Sequence, residues 1–258
     1  MRVLKSKPKN FIYFFYRLIN PIFDPIKFVQ GFYGYFWFIR DLIIYKIKDP
    51  KAKLINTNLY PILNEKTKIT PFDAHYFYHP IWAFNRIIKN KPKEHVDVAS
   101  DYRLSGYLSN FIRTTFIDIR PIKAKLKNLV IKKGSALNLP YKNSSVSSLS
   151  CLHVIEHIGL GRYGDPINPE GTKNASYEFK RVLKKDGFLY IATPIGKEKI
   201  CFNAHRILFP QTILDYFNPL KLIEFSVITD DGTYIENTNP NKFKDQDYAC
   251  GLFIFKKL

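Results

Sequence analysis

From His95 to Lys256, short runs of β-branched and aromatic residues alternate with stretches of helical periodicity, and no other feature of the chain restricts its fold as much. Five runs read as strands: His95-Val-Asp-Val-Ala-Ser100, Thr114-Thr-Phe-Ile-Asp-Ile119, Leu129-Val-Ile-Lys-Lys133, Ser148-Leu-Ser-Cys-Leu-His-Val154 and Phe188-Leu-Tyr-Ile-Ala-Thr193. Tyr102 to Ile112, Asn174 to Lys185 and Pro210 to Phe217 read as helices between them. Such alternation predicts an α/β domain with a doubly wound, mostly parallel sheet, because parallel neighbours need helical crossovers on both faces. Lys221 to Thr229 and Ala249 to Lys256 follow with no long helix between them. They predict a closing hairpin whose last strand is antiparallel, which brings the sheet to seven strands. A further helix is expected from Pro80, where proline suits the first turn, and the whole domain is expected to span residues 71–258.

Residues 1–70 have a different texture, and an aromatic, basic, mainly helical extension with a linker is expected there. Phe11-Ile-Tyr-Phe-Phe-Tyr16 and Phe32-Tyr-Gly-Tyr-Phe-Trp-Phe-Ile39 are rich in rings, while Arg17, Asp24, Lys27, Arg40 and Asp41 interrupt the apolar pattern. The longest uncharged stretch, Phe28 to Ile39, falls well short of the roughly 20 residues a spanning helix needs. Two readings of residues 11–47 remain. The rings lie at headgroup depth with cations over anionic lipid, or they pack as a cap or dimer contact. Aromatic faces are more often buried than lipid-bound, which favours packing. Residues 48–70, rich in Lys, Asn, Thr and Pro, read as a linker or extended connection. No apolar core with a small-residue cleavage site follows the basic N-terminus, so a cleaved signal peptide is not expected.

Hydrophobic residues make up 46% of the 258 and charged residues 24%, which excludes a disordered chain and a multi-span membrane protein. The net charge of +18 favours anionic partners such as acidic glycans, lipid headgroups or nucleic acid, or else reflects lysines scattered over a solvated surface. Three distant cysteines, with no Cys-x-x-Cys pair, argue against a disulfide framework or a zinc knuckle and fit a reducing, cytoplasmic setting. In the interfacial reading, that setting is the inner face of a membrane. Oligomeric state leaves no mark on the sequence.

In open α/β sheets ligands bind beyond the carboxyl ends of the strands. Polar residues gather there: Ser100 and Asp101 after the first strand, Asp118 closing the second, Gly134-Ser-Ala-Leu137 after the third, His153, Glu156 and His157 after the fourth, and Pro194 and Gly196 after the fifth. A carboxylate at the end of a second strand can accept both hydroxyl protons of a ribose. Gly-Ser-Ala-Leu offers backbone donors beside an apolar wall, which suits an adenine. The glycine-rich segment Gly159 to Gly171 suits an acceptor-binding loop, in which Arg162 pairs with an anion, Tyr163 stacks on a ring and Asp165 orients a hydroxyl. The same residues also suit a structural loop tied down by Arg162 and Asp165. Asn203, His205 and Arg206 are placed to reach the same cleft. His153 or His205 is the general-base candidate for an oxygen acceptor. His153-Val-Ile-Glu156-His157 also matches the H-x-x-E-H zinc-protease pattern. Its first histidine falls at a strand end rather than on a helix, so no metal site is expected.

The stretch His95 to Pro194 resembles class I S-adenosylmethionine-dependent methyltransferases. More narrowly, His95-Val-Asp-Val-Ala-Ser, Ile117-Asp-Ile-Arg-Pro, His153 through Pro166, Pro194-Ile-Gly and Phe202-Asn-Ala-His-Arg206 resemble the methyltransferase-like family called domain of unknown function 268. The resemblance implies S-adenosylmethionine as cofactor. It implies Asp97 and Ser100 beside the methionine part, Asp118 on the ribose, Ser135, Ala136 and Leu137 around the adenine, and Leu152 and His153 beneath the sulfonium. Methyltransferases of this class carry a glycine-rich loop after the first strand. Here the loop reads Ala99-Ser-Asp-Tyr-Arg-Leu-Ser-Gly106, with one late glycine. The expected activity is methyl transfer to a small-molecule or glycan acceptor, of acidic character given the basic charge. The alternative is a non-catalytic binding or scaffold protein on the same fold. Nucleic acid is not the expected partner, because neither an Asn/Asp-Pro-Pro-aromatic run nor a Pro-Cys nucleophile is present.

Overall fold

The computed structural model describes residues 11–54 and 58–258. The chain divides into two compact units, residues 1–72 and 73–258.

In the first unit, α1 spans Phe11–Ile19 and α2 spans Pro25–Lys48. Asp24 starts α2: its Oδ1 accepts from the backbone N–H of Ile26 and Lys27, both at 3.0 Å, and Pro25 takes the first helical position. Within the stretch expected as a linker or extended connection, Leu63 and Lys66 pack on α2. A Cβ on Gly34 would lie 2.7 Å from the Leu63 Cβ, so only glycine admits that close approach. Lys66 pairs with Asp41 at 2.7 Å and sits 4.6 Å from the centre of the Trp37 ring.

The second unit opens with α3 (Ala74–Lys89), six residues earlier than Pro80 suggested. Asp73 caps it, and Pro80 lies inside it. A proline there removes the single bond to the Tyr76 carbonyl, which one turn of capped helix tolerates. There follow β1 (Glu94–Val98), α4 (Tyr102–Leu108), β2 (Arg113–Asp118), β3 (Leu129–Lys133), β4 (Val146–Leu152), α5 (Gly171–Val182) and β5 (Leu183–Ile195). Next come the short hairpin β6 (Lys199–Cys201) and β7 (His205–Ile207), α6 (Pro210–Phe217), β8 (Lys221–Ile228), β9 (Tyr234–Ile235) and β10 (Ala249–Lys256).

The main sheet runs β3-β2-β1-β4-β5-β10-β8-β9. It is parallel from β3 to β5, and β10 is antiparallel to both β5 and β8, as expected of the closing hairpin. The two-residue β9 adds an eighth strand at one edge. Side-chain alternation along β10 builds a core on each face. Phe253 and Phe255 pack with Phe179 of α5 and Phe217 of α6, whereas Cys250, Leu252 and Ile254 pack with Trp82 and Ile87 of α3 and Leu104 of α4. No helix connects β2 to β3 or β3 to β4, so β3 is half-exposed.

Candidate functional site at the carboxyl ends of the parallel strands

Asp97 is wholly buried in β1. Its carboxylate accepts from Ser100 Oγ at 2.6 Å and Ser105 Oγ at 3.2 Å, and from the Ser150 hydroxyl of β4. The network extends outward. His95 contacts Ser148 Oγ at 2.7 Å and Ser150 Oγ at 2.9 Å, and Ser100 Oγ accepts from the Leu152 N–H at 3.0 Å. Burial lifts the Asp97 carboxyl to about 6 against the pull of its serine donors, and burial holds His95 down at about 3. Asp97 and Ser100, expected beside the methionine part of a cofactor, thus spend their side chains fixing the loop between β1 and α4. Ala99 in that loop sits at φ 56°, the left-handed region that glycine enters most easily. The glycine-poor loop therefore keeps a glycine-like turn without the glycine.

Asp118 closes β2 and is half-buried. One carboxylate oxygen accepts from the Arg120 N–H at 2.6 Å, and its backbone carbonyl accepts from the Gly134 N–H at 3.1 Å. That second bond joins the β2 end to the turn after β3. A Cβ on Gly134 would meet Ile117 Cγ2 at 2.7 Å, so the turn needs glycine to approach β2. Ser135 Oγ then accepts from the Leu137 N–H at 3.1 Å, and Ala136 and Leu137 pack on the core. Asp118, Ser135, Ala136 and Leu137 thus share one strand-end region. The Arg120 guanidinium lies 4.3 Å from the centre of the Tyr163 ring, which brings the 159–171 loop to the same region.

The end of β4 is crowded. His153, at φ 55°, is buried beside Leu152. Its Nδ1 meets Glu156 Oε1 at 2.9 Å and its Nε2 meets Cys250 Sγ at 3.2 Å. Rings of α3 cover it: His79 at 5.0 Å, and His75 and Tyr76 at 5.5 Å between centroids. Burial drives His153 down to about 4 and Glu156 up to about 7, so the imidazole is neutral at physiological pH. With both nitrogens engaged, His153 is poorly placed to take a proton from an acceptor. His205 is half-buried on β7, with its ring 4.8 Å from that of Tyr248, and Asn203 is exposed in the β6–β7 turn.

The loop between β4 and α5 is held from within. Asp165 accepts from the N–H groups of Gly159 (2.6 Å) and Tyr163 (3.3 Å), and Arg162 Nη1 donates to the Ala204 carbonyl at 3.0 Å. Arg206 is 5% exposed and donates to the carbonyls of Ile158 (2.6 Å), Asn168 (3.2 Å) and Pro169 (3.3 Å). Its expected reach into a substrate cleft is therefore replaced by a clamp under the loop. Tyr163 is half-buried, with its ring 5.6 Å from His157.

A nucleoside-bearing cofactor fits this edge unevenly. At β2 and β3 the residues suit it: an acid with one oxygen tied and an apolar wall beside a tight turn. At β1 and β4 the polar atoms are bonded to one another, so contacts there fall to backbone groups. Sequence patterning does not mark His75, His79, Cys250 or Tyr248. The first two form an H-x-x-x-H pair, a usable signal once α3 is known to include them. Cys250 lies 97 residues from His153 and leaves no local pattern.

The family described as "Caenorhabditis protein of unknown function, DUF268" matches residues 119–256. No curated protein matches the chain. Among solved structures, the [4+2]-cyclase SpnF superposes with a TM-score of 0.51 at 11% identity, covering 69% of this chain and 80% of that one. A Galdieria sulphuraria protein described as a sarcosine dimethylglycine methyltransferase gives 0.51 at 13% identity, covering 69% and 84%. Likeness at this level establishes the fold, that of class I S-adenosylmethionine-dependent methyltransferases, and the cyclase illustrates that a fold does not dictate a reaction.

Proposed function

The chain belongs to the DUF268 family and has a class I methyltransferase fold, and from that premise we propose that it transfers methyl groups from S-adenosylmethionine to a small-molecule or glycan acceptor. The observation that carries this reading is the β1–α4 loop. Holding Ala99 in the left-handed region costs about 1–2 kcal/mol for a residue with a Cβ. A buried acid and three serines hold the loop there, as expected of a turn kept in shape for a ligand.

S-adenosylmethionine, when bound, supplies an activated methyl group on a sulfonium. The chain's own residues bind and orient. Asp118 accepts from the ribose hydroxyls, and Ser135, Ala136 and Leu137 border the adenine. Asp97 and Ser100 keep the first loop in place, and Leu152 forms the floor beside it. Arg162 and Tyr163 face an acidic acceptor from the loop that Asp165 and Arg206 hold. Alignment of the acceptor supplies most of the rate. His205, with Asn203 beside it, takes the proton where the acceptor is a hydroxyl.

Residues 11–47 serve in this reading as a membrane-interface element that brings the enzyme to lipid-linked acceptors. Among the described residues no helix is long and apolar enough to cross a membrane. Phe14, Leu18, Phe28, Phe32 and Phe36 are exposed along α1 and α2, with Arg17, Lys27 and Arg40 among them. Flotation with anionic liposomes compares the full chain with one lacking residues 1–50. Equal flotation of both would remove the interfacial role.

The activity test is transfer of a labelled methyl group from S-adenosylmethionine into a cell extract, which is then separated into small-molecule, glycan, lipid, protein and nucleic-acid fractions. Label in the glycan, lipid or small-molecule fraction, lost in Asp118→Ala, is the expected result. Folded protein that labels nothing would favour the scaffold reading, to which the engagement of both His153 nitrogens lends support.

A further inference from the structure

Five of the six histidines, His75, His79, His153, His157 and His205, lie at one end of the sheet, linked by ring contacts and by Glu156 and Tyr248. The methyl-transfer reading uses only one of them. We propose that His75, His153 and Cys250, with His79 as fourth donor, form a structural zinc site that pins α3 to the ends of β4 and β10.

The donor atoms are already gathered. One ligand atom each from His75, His153 and Cys250 lies within 4.8 Å of the other two. Zinc bonds of 2.0–2.1 Å to nitrogen and about 2.3 Å to sulfur set ligand–ligand edges of about 3.4–3.6 Å in a tetrahedron. The His153 Nε2 to Cys250 Sγ distance of 3.2 Å is close to such an edge. His75 is half-buried, its ring 5.5 Å from that of His153 and 5.2 Å from that of Tyr248, and a shift of its side chain of about 1 Å would close the remaining gap.

The neighbours suit the tautomers that metal binding needs. Glu156 Oε1 lies 2.9 Å from His153 Nδ1, and as a carboxylate it accepts there and leaves the Nε2 lone pair toward Cys250. A carboxylate behind a ligating imidazole is the usual means of orienting it. His79 Nδ1 donates to the His75 carbonyl at 2.6 Å, so its Nε2 also carries a lone pair. Among the described residues, that nitrogen is the buried side-chain polar atom without a hydrogen-bond partner. Leaving it so is unfavourable, and a metal bond would satisfy it. His75 and His79 stand four residues apart on one face of α3, and the His79 ring is 5.0 Å from that of His153.

Three imidazoles and a thiolate suit zinc by softness and geometry. With His79 Nε2 as the fourth ligand no position would stay open, which would make the site structural rather than catalytic. The Cys250–His153–Glu156 line also has the order of a nucleophilic triad. Cys250, however, is fully buried on a central strand beneath α3, where no substrate reaches it. Binding converts the Cys250 thiol to a thiolate and releases its proton to solvent.

The test measures metal directly on the full chain and needs neither cofactor nor activity. Protein purified without chelators is assayed for zinc by mass spectrometry, then stripped and titrated with cobalt(II). A Cys201→Ser background removes the half-exposed thiol. The expected result is one zinc per chain and a tetrahedral cobalt spectrum with a thiolate charge-transfer band. Cys250→Ala should abolish the band, and His75→Ala should weaken binding at least tenfold. His75 is only partly buried, so that variant is the one expected to fold like the parent by circular dichroism. Folded parent protein that binds neither metal overturns the proposal, as does cobalt binding that His75→Ala leaves unchanged.

Discussion

Replacing Asp97 by asparagine removes one ionisable group from the centre of the sheet while nearly preserving its shape. Two effects compete at that carboxyl. Three serine hydroxyls favour its charged form, and complete burial disfavours it. Burial wins, lifting the group from 3.8 to about 6. The folded state thus holds the Asp97 proton more tightly than the unfolded state does. Its contribution to stability is fully present below pH 3.8 and is lost as pH rises through about 6. Each tenfold difference in proton affinity between the two states is worth about 1.4 kcal/mol, so the loss between pH 4 and pH 7 is on the order of 2–3 kcal/mol. Asparagine does not titrate, and every other group is common to both proteins. Urea unfolding of both at pH 4, 5, 6 and 7 therefore isolates the carboxyl's contribution. Stability of the parent relative to Asp97→Asn should fall by on the order of 2–3 kcal/mol across that range. A pH-independent difference would refute the balance. A difference that grows with pH would mean that the serines hold the carboxylate below its ordinary value, so that hydrogen bonding outweighs burial.

Ala99→Gly should stabilise the protein. Relief of about 1–2 kcal/mol of left-handed strain exceeds glycine's extra chain entropy of about 0.5–1 kcal/mol, and thermal unfolding should shift upward by a few degrees. A lower midpoint would mean that the Ala99 methyl packs better than its backbone suffers. Arg206→Met keeps the apolar stem of the side chain but removes the donors to Ile158, Asn168 and Pro169. A loss of about 2–4 kcal/mol and new proteolytic cleavage between residues 158 and 170 are expected, measured by chemical denaturation and limited proteolysis. Unchanged cleavage would show that Asp165 and Arg162 suffice to hold the loop.

The alternation of strand and helix made the sheet readable, because each element carries its own periodicity. The bounds of β3 and β10 agree with the sequence reading. Elsewhere tertiary contacts decide. Proline at 80 marks a helix start by local rule, yet Asp73 caps the helix a turn and a half earlier. That shift hides His75 and His79, since an i, i+4 pair means something only on a helix. At two residues, β9 is too short for any pattern to show. Residues 48–70 read as a linker or extended connection, and the contacts to α2 are not legible there because they depend on two side chains, Leu63 and Lys66. At the candidate site, Asp118 is legible because it closes a strand. The bonding of Asp97 is not, since Ser105 and Ser150 lie on other elements and a serine hydroxyl has no sequence signature. Arg206 is expected at a cleft by its position, and its clamp on the loop follows from carbonyls up to 48 residues away.

Calorimetric titration with S-adenosylhomocysteine, on the parent and on Asp118→Ala, bears most directly on the cofactor cleft. Micromolar binding that Asp118→Ala weakens at least tenfold, about 1.4 kcal/mol, is the predicted result. Well-folded protein that binds nothing at millimolar ligand, or binds it equally after the substitution, would contradict the assignment of the β2 end to the ribose.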